Sequence, residues 1–139
     1  MNLYIDVNVI VDVLGFRLPF YFKSSMVMQL CTTPQAVGYT SVASFATIEY
    51  ILKKQLPRTI IPQQLHTLRS IITPVDVTTA ILDQALYSNF KDFEDAMQYF
   101  CARSCSADYL VTRNTEDFAA AEMAVVTPED FLSIYHSLQ

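Results

Sequence analysis

Leu3-Tyr4-Ile5-Asp6-Val7-Asn8-Val9-Ile10-Val11-Asp12 is the stretch whose reading decides the fold. Three apolar residues run straight into a carboxylate, and strand propensity gives no reason for an aspartate there. The spacing predicts a short buried strand over Asn2–Ile5 ending at Asp6, then a helix over Val7–Leu14 that stops near Gly15. A strand feeding directly into a helix is the opening half of a βαβ unit.

The same alternation continues outward from this start. Pro19–Leu30 carries apolar residues at helical spacing, and Ala36–Tyr39 reads as a short strand. Thr40 or Ser41 caps a helix running to about Lys54. Pro57–Ile71 reads as helical with an interruption at Pro62. A strand over Thr73–Val77 and a helix over Thr79–Ser88 follow. Asp92–Cys105 is the strongest helix, with Phe93, Ala96, Met97, Phe100 and Ala107 near one face. Tyr109–Thr112 and Ala124–Val126 are strands, and Pro128–Leu138 closes the chain as a helix with proline in its first turn. The expected fold class is α/β: a mostly parallel sheet flanked by helices on both faces. Ligands of such sheets bind outside the carboxyl ends of the strands.

Bulk composition sets the bounds. The chain has 139 residues, 52% of them hydrophobic and 17% charged, which suits one folded domain and excludes a disordered chain. Only Gly15 and Gly38 are glycines, so no glycine-rich phosphate loop exists. No apolar run approaches the ~20 residues that span a bilayer. The opening residues lack a basic start, and Asp6 interrupts the apolar run, so no secretory leader is expected and the protein is read as cytoplasmic. Cys31, Cys101 and Cys105 are an odd count with no paired framework, and His66 and His136 lie in unrelated segments. Buried thiols are therefore the better reading than a disulfide scaffold or a thiolate metal site. The formal net charge of −5 argues against an obvious nucleic-acid binder.

The acids are distributed in a telling way. Asp6 ends the first strand, and Glu49 is the one charge in the helix Ser41–Leu52. Asp92-Phe93-Glu94-Asp95 opens the strongest helix, and Asn114 and Asp117 follow the strand ending at Thr112. Carboxylates converging from two strand ends and two helices would repel one another unless a cation lay between them. Hard oxygen ligands of this kind suit Mg²⁺ or Mn²⁺. Each acid also has a structural reading. Asp92 and Asp95, three apart at a helix start, look like a capping pair, as Thr127 and Asp130 do. Asp12 and Asp108 are read as structural or solvent-facing.

Taken together, these segments resemble the PIN-domain family, including its VapC-like ribonuclease toxins. The opening strand with Asp6 and Asn8 resembles the family's first motif, and the Ser41–Glu49 helix its second. Asp92-Phe93-Glu94-Asp95-Ala96 resembles the third, and Thr112-Arg113-Asn114-Thr115-Glu116-Asp117-Phe118 the last. The resemblance implies that Asp6, Glu49, Asp95 and Asp117 are catalytic metal ligands. Many members carry aspartate where this chain has Asn114, which remains a weaker candidate ligand through its carbonyl. Asn8, Asp92 and Thr112 would assist. The implied activity is endonucleolytic, metal-assisted hydrolysis of RNA. Lys53, Lys54, Arg58, Arg103 and Arg113 are available to touch the RNA backbone. The implied partners are an antitoxin or a second copy of the chain, for which the aromatic run Phe20-Tyr21-Phe22 offers a surface. The alternatives are a degenerate PIN domain that binds RNA or protein without cutting, and an aspartyl-nucleophile phosphatase, which the Asn at position 8 disfavours.

Overall fold

A computed structural model describes all 139 residues. The strands are β1 (Asn2–Ile5), β2 (Val37–Ser41), β3 (Ile72–Val75), β4 (Tyr109–Val111) and β5 (Ala124–Val126). The helices are α1 (Val7–Leu14), α2 (Tyr21–Leu30), α3 (Val42–Leu52), α4 (Ile61–Ile71), α5 (Thr79–Leu86), α6 (Phe93–Ser104) and α7 (Pro128–Ser137). A single 3₁₀ turn, which sequence periodicity does not reveal, spans Thr115–Phe118.

All five strands are parallel, in the order β3-β2-β1-β4-β5. The parallel sheet expected from alternating strands and helices is thus present: α-helices cross over between β1, β2, β3 and β4, and the Thr115–Phe118 turn between β4 and β5, so each strand returns in the same direction. From β1 the chain builds outward to β3, then crosses back to place β4 on the other side of β1. Strand order therefore reverses between β1 and β4, and the crevice outside their carboxyl ends is where such a sheet binds ligands. Asp6 and Thr112 stand at that crevice, directly after β1 and β4.

The period-2 geometry of β1 divides the core into two. Leu3 and Ile5 join Val9, Ile10, Val27, Ile48, Leu52, Leu68 and Phe131 on one face. Tyr4 points the other way, among Val75, Ile81, Tyr99, Ala102, Leu110 and Phe118 beneath α5 and α6. Gly38 lets α2 approach the sheet: a Cβ there would lie 2.7 Å from Cys31 Sγ and 2.7 Å from Ile72 Cδ1. Cys31 and Cys101 are buried and Cys105 half-buried, all as free thiols.

Some boundaries differ from the expectation, each for a local reason. Pro62 opens α4 instead of interrupting it, because proline at the first turn loses no intrahelical bond. Residues 57–60 accordingly form a turn before α4. α2 starts at Tyr21, two residues past Pro19. β2 extends to Ser41, whose hydroxyl then caps α3 by accepting from Ser44 N at 3.0 Å. β3 starts at Ile72, directly after α4, and ends at Val75. Phe93 does not face the core: it is exposed at the first turn of α6, whose buried residues are Ala96, Gln98, Tyr99, Cys101 and Ala102. Ala107 lies beyond the end of that helix.

Candidate functional site

Asp6 is the N-cap of α1 and accepts from Val7 N at 2.8 Å. Its other carboxylate oxygen accepts from the Thr112 hydroxyl at 2.8 Å and from Asn8 Nδ2 at 3.3 Å. Asn8 also donates to Thr112 Oγ1 at 3.2 Å, and its carbonyl accepts from Arg113 N at 3.2 Å. Asn114 N donates to Thr112 Oγ1 at 3.1 Å. Backbone and side chains of the two strand ends thus fix one carboxylate at the topological switch point. Asn8 and Thr112, the assisting residues of the motif, are the ones that hold it.

Asp92 caps α6 and accepts from Asp95 N at 3.0 Å, so the capping reading of that pair is correct. Capping does not exhaust Asp95. Its side chain lines a cleft with Asn89, Phe90, Lys91, Asp92, Glu116 and Asp117. Its carboxyl is pushed up to about 7, first by burial and then by Asp92, Asp117, Asp6 and Glu94. Asp6 is also raised, chiefly by burial, with Glu94 and Asp117 adding to it; the Thr112 and Val7 bonds work the other way. Asp95 and Asp117 line this cleft, and Asp6, at the end of β1, adds its charge to theirs at Asp95. No lysine or arginine forms an ion pair with any of the three.

The donor set fits a hard divalent cation: several carboxylate oxygens, crowded, and without a basic partner. As the side chains stand, no three of them converge on one point at ligand distance.

Glu49 stands elsewhere. It pairs with Lys53 Nζ at 3.0 Å and lines a hollow between α3 and α4. The helix explains why. Ser44 is the residue of α3 that faces α6, meeting Gln98 through hydrogen bonds at 3.3–3.4 Å. Position 49 lies five residues on, rotated by roughly 140° away from that face. Asn114 also departs from the acids. It is exposed and lines a neighbouring hollow with Phe20, Lys23 and Arg113, leaving Asp117 as the residue after β4 that shares the cleft.

A model of the PIN domain family matches residues 2–116. The chain belongs to the PIN domain family. Ribonuclease VapC1 of Aquifex aeolicus (strain VF5) is 24% identical over 142 residues, covering 99% of this chain and 97% of that protein. A chain from a toxin–antitoxin complex of Klebsiella pneumoniae superposes with a TM-score of 0.68 at 23% identity, covering 90% of this chain and 96% of that one. A chain of VapBC2 from Rickettsia felis, crystallised with a DNA fragment from their promoter, gives 0.67 at 13% identity, over 90% and 97%. The five-stranded parallel sheet with flanking helices is the PIN fold of these VapC structures.

Three features of this PIN domain were not legible as motifs. Glu94 and Glu116 add to the acid cleft, although their positions read as ordinary first-turn residues. Tyr4, Gln98, Ser41 and Ser44 form a buried polar network: Tyr4 Oη donates to Gln98 and accepts from Ser41 N at 3.0 Å. It ties β1, α3 and α6 together beneath the cleft. Asp12 is fully buried, not solvent-facing, and accepts from Arg113 Nε at 2.6 Å and Nη2 at 3.2 Å. Arg113 is therefore committed to the fold, with its guanidinium 4.0 Å from the Phe20 ring centroid. Asp12 in α1 and Arg113 two residues after β4 were the available signal, but sequence alone could not say that they meet.

Proposed function

We propose that this chain is a divalent-metal-dependent endoribonuclease, the toxin of a toxin–antitoxin pair. The observation that carries the reading is the gathering of Asp6, Asp95 and Asp117 beside the β1/β4 switch point, where the charges of Asp6 and Asp117 both push up the Asp95 carboxyl, in a PIN fold and with no basic side chain paired to any of them. Ribonuclease VapC1 and the toxin–antitoxin chains that share the fold support both the substrate and the kind of partner.

Asp6, Asp95 and Asp117 would hold Mg²⁺ or Mn²⁺, and Glu49 would join them only by leaving Lys53. Asn114 is the alternative donor beyond β4. A divalent ion at this site supplies an acidified water as nucleophile and neutralises charge developing on the scissile phosphate. Thr112 and Asn8 keep Asp6 in one orientation, which is what such partners contribute to a ligand carboxylate. Asp95, whose carboxyl is pushed up to about 7, would have to give up a proton to bind a cation near pH 7, and would do so at modest cost. The exposed apolar side chains Phe16, Leu18, Phe22 and Met26, around the start of α2, offer an antitoxin or a second copy an apolar contact.

The test is incubation of a total tRNA and rRNA mixture with Mn²⁺ or Mg²⁺, comparing wild type, Asp95→Asn and wild type with EDTA. Cutting confined to the metal-containing wild-type lane is the expected result. Intact RNA in every lane, with folded and inhibitor-free protein, would replace this reading with a PIN domain that binds without cutting.

A further inference from the structure

The hollow between α3 and α4 has a volume of about 640 Å³. Phe45, Ile61, Pro62 and Leu65 form its apolar walls, and Lys53, Arg58, His66 and Arg69 its basic rim. Glu49 is its one acid, and that is neutralised by Lys53 at 3.0 Å. The charge distribution of the whole chain converges here. Residues 50–75 carry four of the nine lysines and arginines and none of the fourteen aspartates and glutamates. Elsewhere five cations face fourteen acids. Lys53, Lys54, Arg58 and Arg69 are all exposed, so this arm is a positive surface on an otherwise acidic protein. None of the four meets an acid other than Glu49. Lys54 lies 4.5 Å above the ring of Tyr50, which is 60% exposed, so a flat aromatic face stands beside the cations.

We infer that the α3–α4 arm is the docking surface for the ribose-phosphate backbone of single-stranded RNA, separate from the acid cleft. This rests on the ribonuclease reading. It also answers a difficulty in that reading, since the cleft itself repels polyanions. Phosphate contacts need lysine and arginine, and sequence-independent stacking needs an exposed ring. Both occur together on this arm. α3 links the two regions: Ser44 touches Gln98, one turn along α6 from Asp95, and Glu49 in the hollow lies five residues, about 8 Å, further along the same helix. An acidic peptide would satisfy the cations too; the exposed Tyr50 ring beside them adds the base-stacking platform that single-stranded RNA uses.

The experiment is fluorescence anisotropy of a labelled single-stranded RNA oligonucleotide on the full chain carrying Asp95→Asn, at 50–200 mM salt without divalent metal. Three proteins are compared: this parent, the parent with Arg58→Glu and Arg69→Glu, and the parent with Lys23→Glu, Gln29→Glu and Gln139→Glu, all exposed, which changes net charge equally elsewhere. Thermal melts verify folding, and Arg58→Gln with Lys54→Gln serves as a milder pair. The expected result is at least tenfold weaker binding for the Arg58/Arg69 pair only. Its salt slope should shrink by about 1.4, the release expected for two phosphate contacts on a single strand. Equal weakening by the Arg58/Arg69 pair and by the distant substitutions, or unchanged binding by the Arg58/Arg69 pair, overturns the inference while leaving the nuclease assay untouched. Retained RNA binding with lost binding of a Glu/Leu-repeat amphipathic peptide assigns the arm to a protein partner instead. A parent that binds no RNA overturns this inference, and wild-type cleavage then decides the ribonuclease reading separately.

Discussion

Asp95 holds its carboxyl near pH 7 because burial and four neighbouring acids all oppose its charge. The linkage sign follows directly. The unfolded chain loses this proton near the ordinary aspartate value of 3.8, while the folded chain keeps it to about 7. Between those values the folded state binds more protons, so metal-free stability falls as pH rises through that window and levels off above it. Asp6 shifts in the same direction. After discounting for solvent screening, Asp95 accounts for roughly 1 kcal/mol. Thermal melts of metal-free protein should show a midpoint about 2 °C higher at pH 5.5 than at pH 7.5, and Asp95→Asn should shrink the difference. Glu49 makes a contrasting prediction. Because it is paired with Lys53 outside the acid cleft, Glu49→Gln should lower kcat by less than about tenfold, whereas Asp95→Asn should lower it by on the order of a hundredfold or more.

At the scale of elements, the buried Asp12–Arg113 pair fastens α1 to the loop after β4, and so sets the distance between the Asp6 and Asp117 ends of the site. Arg113→Ala leaves a buried carboxylate without its main partner and should cost about 3 kcal/mol by chemical denaturation. The Asp12→Leu, Arg113→Met double variant should recover most of it. Gly38→Val should destabilise by about 1–3 kcal/mol, since its side chain would collide with Cys31 and Ile72. These elements also show what sequence could tell. Strand β1, helix α1 and strand β5 are legible to the residue, because apolar runs and capping residues are local signals. The start of α4 is not, because a proline interrupts a helix or opens it according to where the preceding turn ends. The acids of the cleft were legible as residue types at strand ends and helix starts. The side of α3 on which Glu49 falls was not, because it depends on which α3 residue packs against Gln98, a contact 54 positions apart in sequence.

For the whole molecule, one crevice brings together Asp6, Asp92, Glu94, Asp95, Glu116 and Asp117, and one arm carries four of the nine lysines and arginines, with α3 connecting them. The sheet order places the first at the β1/β4 reversal, and the α3–α4 hairpin carries the second. On the proposed reading divalent metal should stabilise the fold, because it would bind only the native cleft and relieve its repulsion. At a hundredfold excess over its dissociation constant Mn²⁺ should add about 2.7 kcal/mol, visible as a rise in melting temperature that EDTA reverses. Thr112→Val should reduce Mn²⁺ affinity about 10–100-fold in calorimetry without unfolding the chain, since it frees one oxygen of Asp6. No helix is long and apolar enough to cross a membrane.

The most direct measurement is single-turnover hydrolysis of an RNA oligonucleotide at saturating Mn²⁺ by wild type, Asp6→Asn, Asp95→Asn, Asp117→Asn and Glu49→Gln. The structure predicts metal-dependent cleavage that collapses in all three cleft variants and persists in Glu49→Gln. Cleavage that survives in the three aspartate variants, or that proceeds equally in EDTA, would contradict the assignment of the β1/β4 cleft as the metal-dependent catalytic site.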